Sequence, residues 1–506
     1  MMSHDPQEIR LGKVVKVSLE EGLPEPVEMG ASISELRFKG WPKLAWLTVI
    51  CVVVINVVFS HLPRDPSLGP LDAGVTGHML EMQAKYLVGV GQMVDGKTTG
   101  QLYDQAAGFN TGPVGNRLSF VVVAGELAGP QEALVQLEEL ERAVSFHNRK
   151  LTEVEASLIG TLKKLYADYD NESWSGVSLS EVERSQIRQC LGWCGSLALI
   201  PQESPDQDAR RDVMKPALWT VGIVLAAFFA LTAGFLFGLA ISIMFFIFAF
   251  TKRLRLRLMA GSSARNIYLE TFGVWLVLHL LLGIAAGFFA TPENSLYLQL
   301  AAFACTLLAI LWPRLRGVSW SQVKNEIGLF RGGRPWIELV VGFLGYISLI
   351  PFLVLNILLL FIMLSLMSLF TGGETDSFAS PQMPAHPIVQ WVAEGSWVEW
   401  TLIFLVACVA APIVEEIMFR GLLYRYFRDF SAAWRLMLSI AFSASISSFI
   451  FAVIHPQGFL AVPALSTLAA GFCLLREWRG SLIAPMVAHG LNNAVVTTLL
   501  ILLMST

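Results

Sequence analysis

The chain has 506 residues, 54% hydrophobic and 15% charged, with a mean hydropathy of +0.57. A soluble domain carries about 25% charged residues, so this composition excludes a purely soluble globular protein, and its hydrophobicity excludes intrinsic disorder. A formal net charge of −4 and a pI near 6.1 argue against nucleic acid as a partner.

Nine stretches approach the roughly 20 apolar residues that a spanning helix needs: 44–62, 217–250, 268–290, 296–312, 336–370, 397–419, 436–454, 460–475 and 481–503. Residues 1–43 form an N-terminal segment too long and polar to precede a cleaved signal. Runs 217–250 and 336–370 exceed one simple crossing, so they tilt, bend (at Pro351 in the second) or project beyond the bilayer. Lys and Arg then set the orientation. Arg37, Lys39 and Lys43 precede the first span, and Lys252, Arg253, Arg255 and Arg257 follow the second. Arg314 and Arg316 follow the fourth, Arg420, Arg425, Arg428 and Arg435 surround the end of the sixth, and Arg476 and Arg479 separate the last two. The alternate loops 291–295, 371–396 and 456–459 contain neither residue. The expectation is an all-α polytopic protein of eight to nine spans in a bacterial plasma (inner) membrane, its N-terminus cytoplasmic and residues 63–215 outside.

Residues 63–215 read as an inserted extracytoplasmic helical domain. Pro130 opens a helical pattern of Ala133, Leu134, Leu137, Leu140 and Val144, and a second follows with Val154, Leu158, Leu162 and Leu165. Ser180 and Glu183 form a capping box before a third helix through Cys190. Residues 127–134 faintly resemble tetratricopeptide hairpins, but without a 34-residue period the expectation is a small irregular domain. His78 and His147 read as surface residues. Cys190 and Cys194 lie outside the spans, where a disulfide is permitted but marginal at i, i+4. Cys51, Cys305, Cys408 and Cys473 read as small packing residues within spans. Residues 216–335 continue as transmembrane helices, with Glu270 and Glu338 read as interfacial and His279 as packed.

The last third differs. Glu415 and Glu416 interrupt an apolar helix in Ala-Ala-Pro-Ile-Val-Glu-Glu-Ile-Met-Phe-Arg (410–420). His455 ends Phe-Ala-Val-Ile-His (451–455), and His489 and Asn493 bound His-Gly-Leu-Asn-Asn (489–493). Ionisable groups at membrane depth are costly and usually mark function. Glu416 and Arg420, at i, i+4, share a face and form a natural pair, which leaves Glu415 free for chemistry. His489 and Asn493 also share a face, as do Phe451 and His455. A purely structural set of interhelical contacts is the bland alternative.

Glu-Glu-x-x-x-Arg (415–420), Phe-x-x-x-His (451–455) and His-x-x-x-Asn (489–493), in order on successive apolar segments, resemble the signature of the CPBP intramembrane proteases. That family includes type II CaaX-prenyl endopeptidases and bacteriocin-processing, Abi-like relatives. The resemblance covers roughly 336–506, read as a protease domain. It implies an endopeptidase hydrolysing a peptide bond in or beside the membrane. Carried over, Glu415 is the general base, His455 helps hold the water, His489 and Asn493 are oxyanion donors, and Glu416, Arg420 and Phe451 support them. The implied partners are a membrane-associated protein or peptide substrate and the bilayer, with a protein partner for the external domain; nothing recognises a prenyl group specifically.

No cofactor is expected. The rival reading is a zinc metalloprotease using Glu415 or Glu416 with His455 and His489, although a His-Glu-x-x-His helix is absent and Asn493 is a poor ligand. A non-enzymatic immunity or scaffold protein and a transporter are the other classes; the motif set occurs once, without the paired repeats of a transporter. One conflict stands within the sequence itself. On the span map Glu415 and His455 differ in depth by about 15–20 Å, so either the sixth helix runs on to about Arg428 or the seventh starts nearer Ala441.

Overall fold

The computed structural model describes residues 40–61, 70–94, 96–108, 110–171, 178–291, 294–330, 334–371 and 388–505. The N-terminal segment up to residue 39, with Arg37 and Lys39, lies outside the described residues, as does most of the 371–396 loop. Every regular element described is helical: α1 Pro42–His61, α2 Pro70–Gly91, α3 Gly96–Ala107, α4 Val114–Ala128, α5 Pro130–Phe146, α6 Glu153–Asp170, α7 Glu181–Ala198 and α8 Gln207–Phe250. There follow α9 Arg265–Phe289, α10 Ser295–Leu315, α11 Trp320–Ile327, α12 Pro335–Thr371, α13 Ile388–Glu394, α14 Trp397–Phe430, α15 Leu436–Val453, α16 Val462–Arg479 and α17 Ile483–Met504.

Among the described residues, eight helices are long and apolar enough to cross a membrane: α8, α9, α10, α12, α14, α15, α17, and α16 with its preceding turn. The chain is an integral membrane protein. The apolar part of α1, Pro42–Ile55, is shorter and packs against α9.

The six helices α2–α7 form a separate apolar core around α4, whose residues Phe120–Ala124 are all buried. Capping boxes at Thr152 with Glu155 and Ser180 with Glu183 start α6 and α7. The length of α8 has a local cause. Its first turns belong to this core: Met214 and Ala217 are buried in it, Arg210 pairs with Glu126, and Trp193 Nε1 donates to the Val213 carbonyl at 2.8 Å. At 44 residues, α8 is about 66 Å long, so it reaches through both layers. Burial raises the Glu126 carboxyl above its ordinary range, against the opposing pull of Arg210.

Within the bundle α12 packs along α8 and α17. Pro351 has no N–H for the Ile347 carbonyl. Gly238 of α8 lies so close to that oxygen that a Cβ would stand 2.3 Å from it. One turn further, the Ser242 hydroxyl donates to the Ser348 carbonyl at 2.7 Å.

The ends of the helices gather at two levels. At one, Arg257 N donates to Glu477 O, Gly261 N to Asp429 Oδ1, and Leu482 N to Gly328 O. At the other, Leu296, Val392, Ile403 and Met504 share a cluster, and α13 rests on α2 of the α2–α7 core.

Several expectations change. Glu270 and Glu338 sit near helix starts, as expected, but they are buried in ion pairs rather than open to solvent: Glu270 pairs with Arg316 at 3.2 Å and Glu338 with Arg479 at 2.6 Å. Cys51 and Cys305 face outward from the bundle instead of packing within it, while Cys473 is buried. Arg425 and Arg428 are not loop cations; they are buried, on Asp429 at 2.8 Å and Glu477 at 2.5 Å. Neutralising these charges lets the sixth hydrophobic run continue as helix to Phe430, well past 419. His279 is packed, stacked on Trp275.

Candidate active site

The conflict over depth disappears with that extension. Helices α14 and α15 form a hairpin across residues 431–435, which brings their facing residues together. Phe419 packs edge-on to Phe451 at 4.9 Å, and Glu415 stands opposite His455.

Helix α14 is not a uniform α-helix. It widens into π-helical turns at Val406–Ala410 and Glu416–Leu423, a distortion common at functional sites. Pro412 explains the first. Ala411 N donates to the Val406 carbonyl, five residues back. The next bond in that register would join residue 412 to the Ala407 carbonyl, and proline has no N–H to give. Helix α17 supplies the missing donor: Asn493 Nδ2 donates to Ala407 O at 2.8 Å. Gly490 permits the approach, since a Cβ there would lie 2.6 Å from Cys408 O. One N–H of the Asn493 amide is thus committed to the backbone, and its second remains for another acceptor.

The second π turn carries Glu416 and Arg420. Arg420 Nη1 donates to Glu416 Oε1 at 2.9 Å, with both side chains sealed from solvent. Its other amine donates to Ala469 O at 3.2 Å, and the guanidinium lies over Phe451 at 4.7 Å and Phe472 at 5.1 Å. His489 Nδ1 donates to the same Glu416 oxygen at 2.8 Å. Phe472, on α16, stacks on the His489 ring at 5.1 Å and 21°. The His455 ring packs on Phe451 at 4.2 Å and gives its Nδ1–H to the Phe451 carbonyl at 2.5 Å. Both imidazoles are therefore held by Nδ1, and both present Nε2 to Glu415.

Glu415 Oε2 lies 3.8 Å from His455 Nε2 and 3.7 Å from His489 Nε2. That oxygen is buried and has no hydrogen-bond partner among the described residues. These separations exceed a direct hydrogen bond and suit a bridging water. For zinc the fit is poorer. Four tetrahedral donors at 2.0–2.2 Å from the ion stand about 3.4 Å apart, closer than either pair here. Among the described residues no group of three or more His, Cys, Asp or Glu is arranged to hold a metal ion. Glu416, the other zinc-ligand candidate, is occupied by Arg420 and His489.

All seven residues singled out by the motifs converge on one region, buried to partly buried, of α14, α17 and the C-terminal end of α15. Sequence reasoning missed Phe472, Gly490 and the role of Pro412. Proline in an apolar helix was a signal available for the last; Phe472 lies outside every motif.

Residues 397–495 match a family model described as type II CAAX prenyl endopeptidase Rce1-like. The match takes in α14 through Asn493 and begins later than the resemblance read from sequence, leaving the first 396 residues outside it. No curated protein and no solved structure matches the chain. Over that stretch the chain is similar to the type II CAAX prenyl endopeptidases, in line with the resemblance carried by its three motifs.

Proposed function

We propose that this protein is an intramembrane endopeptidase in which Glu415 activates a water held between its carboxylate and the imidazoles of His455 and His489. The observation that carries the reading is the buried, unpartnered Glu415 oxygen facing two Nε2 atoms at 3.7 and 3.8 Å. Three polar atoms at that spacing suit bridging by one small molecule able to donate and accept.

Charge balance supports a division of labour. Glu416 is already paired with Arg420, so Glu415 is the carboxylate left to take a proton. His455, whose Nδ1 is held by the Phe451 carbonyl, accepts one water hydrogen at Nε2. Glu415 takes the other proton as the water oxygen bonds to the scissile carbonyl carbon. The carbonyl oxygen becomes the oxyanion, which the His489 Nε2–H and the uncommitted Asn493 N–H stabilise. Collapse breaks the C–N bond, and Glu415 returns its proton to the departing amine. Glu416 fixes the His489 ring, while Phe451 fixes that of His455.

The substrate class is a membrane-associated protein or peptide. A Glu415→Gln variant in native membranes tests the reading. It should retain uncleaved substrate that mass spectrometry identifies and that the wild type cleaves. Recovery of no such species, with a wild-type cleavage pattern in the variant, would remove Glu415 from the chemistry.

A further inference from the structure

At the helix-end level that carries the buried arginines, one basic segment is not consumed by the fold. Helix α8 ends at Phe250, an aromatic side chain 85% exposed. Lys252 takes a positive φ of 56°, and Arg253 N and Leu254 N turn back to the Phe248 carbonyl. From there to residue 260 the chain has no helical structure.

Its side chains alternate with the period of an extended backbone. Arg253, Arg255 and Arg257 are exposed, Leu254 and Leu256 are half-buried, and Leu258 is buried against Tyr424, Ala444 and Cys473. The backbone is pinned to α16, with Arg257 N and Leu258 N donating to the Glu477 carbonyl at 2.8 and 3.3 Å. The segment is therefore a fixed strap with its leucines inward and its cations outward.

None of Lys252, Arg253, Arg255 and Arg257 forms a side-chain ion pair or hydrogen bond among the described residues. Their neighbours differ: Arg425, Arg428 and Arg479 are matched by Asp429, Glu477 and Glu338, and Arg476 by the carbonyls of Gly480 and Glu326. Four unmatched positive charges thus line one rigid strap. Its depth is marked by aromatics. Phe245 meets Trp478 edge-on at 5.1 Å, and Trp336 and Trp434 are exposed at the same end of the bundle. Exposed tryptophans at helix ends mark the membrane–water interface, so the strap lies where lipid phosphates lie.

We propose that residues 252–257 bind the head groups of anionic phospholipids. The match is one of charge and level: phosphates in a plane meet guanidiniums held in a row, each cation strengthening the attraction about fivefold. Because the strap is bonded to Glu477, whose carboxylate accepts from Tyr424 and Arg428, such lipid would brace the inner ends of α14 and α16.

The test is lipid retention by the full-length protein purified from vesicles of equal phosphatidylglycerol and phosphatidylcholine, read by native mass spectrometry. The wild type should retain phosphatidylglycerol in excess, and the excess should fall as salt rises. Changing Lys252, Arg253, Arg255 and Arg257 together to Gln should abolish the excess without lowering the melting temperature in phosphatidylcholine. Changing the three arginines to Lys should preserve it, as should Arg211→Gln, an exposed cation in the extramembrane domain. An unchanged lipid ratio in the quadruple Gln variant would overturn the proposal. So would loss of the phosphatidylglycerol excess when inorganic phosphate is added at matched concentration, which would make the strap a site for free anions.

Discussion

A single oxygen of Glu416 accepts hydrogen bonds from both Arg420, at 2.9 Å, and His489, at 2.8 Å. Glu416 therefore neutralises a buried cation and orients a ring on another helix at once. These two roles can be separated. Glu416→Gln strands Arg420 in a dry site, and losing one partner of a buried pair costs about 3–5 kcal/mol, so the melting temperature should fall clearly. Glu416→Gln with Arg420→Met removes both charges and should recover much of that stability. Turnover should stay low in the double variant, because His489 has lost its anionic partner. Thermal melts beside a cleavage assay decide the matter: a double variant with wild-type turnover would reduce Glu416 to a structural ion pair.

Glu415 presents the opposite case, since it has no hydrogen bond to lose at Oε2. Glu415→Gln should leave the melting temperature near that of the wild type while lowering kcat by about 10²–10⁴-fold, the range of a positioned general base. His455→Ala and His489→Ala should likewise abolish cleavage. Activity should survive a chelator, and metal analysis of the purified protein should find no stoichiometric zinc. Loss of activity on chelation, restored by added zinc, would favour the metalloprotease reading instead.

Asn493 has two obligations, and Pro412 is the cause of one of them. Removing the amide in Asn493→Ala should cost about 10²–10³-fold in kcat if it donates to the oxyanion. It also strands the Ala407 carbonyl, a penalty of about 1–3 kcal/mol. Pro412→Ala restores a backbone N–H beside that carbonyl. The pair Pro412→Ala with Asn493→Ala should therefore melt higher than Asn493→Ala alone yet remain as slow. If repairing the backbone also restores the rate, Asn493 acts only as a brace for the π turn.

What could be read in the sequence followed from strong physical constraints. Apolar runs of bilayer length and charges inside them are both conspicuous, so the spans and the residues from Glu415 to Asn493 stood out. The boundary at 419 did not, because Arg425, Arg428 and Asp429 look like loop residues until their partners, such as Glu477, are seen nearby. For Arg428, 49 residues separate it from that partner in sequence. Phe472 is one phenylalanine among 32, and only the fold sets it against His489. The π turns were hidden for a different reason: helical-wheel reasoning assumes one register throughout, and Pro412 changes it.

Orientation across the membrane can be settled with Cys190. Cys190 is exposed and Cys194 buried on α7, and both are free thiols. The i, i+4 geometry assumed for an unbroken helix does not apply between them, because Gly192 leaves the helix at φ 56° and ψ −127°. Burial pushes the Cys194 thiol up to about 12, so it stays protonated and unreactive at neutral pH. If Cys51, Cys305 and the half-exposed Cys408 lie at hydrocarbon depth on α1, α10 and α14, as the apolar runs around them imply, a charged reagent does not reach them. A membrane-impermeant maleimide applied to intact cells should therefore add one label, which Cys190→Ser removes. That outcome places α2–α7 outside the cytoplasm, on the side the Lys and Arg distribution assigns. Labelling that requires lysed cells would invert the topology. Labelling that requires a reductant would instead reveal a Cys190–Cys194 disulfide, contrary to the free thiols seen on either side of Gly192.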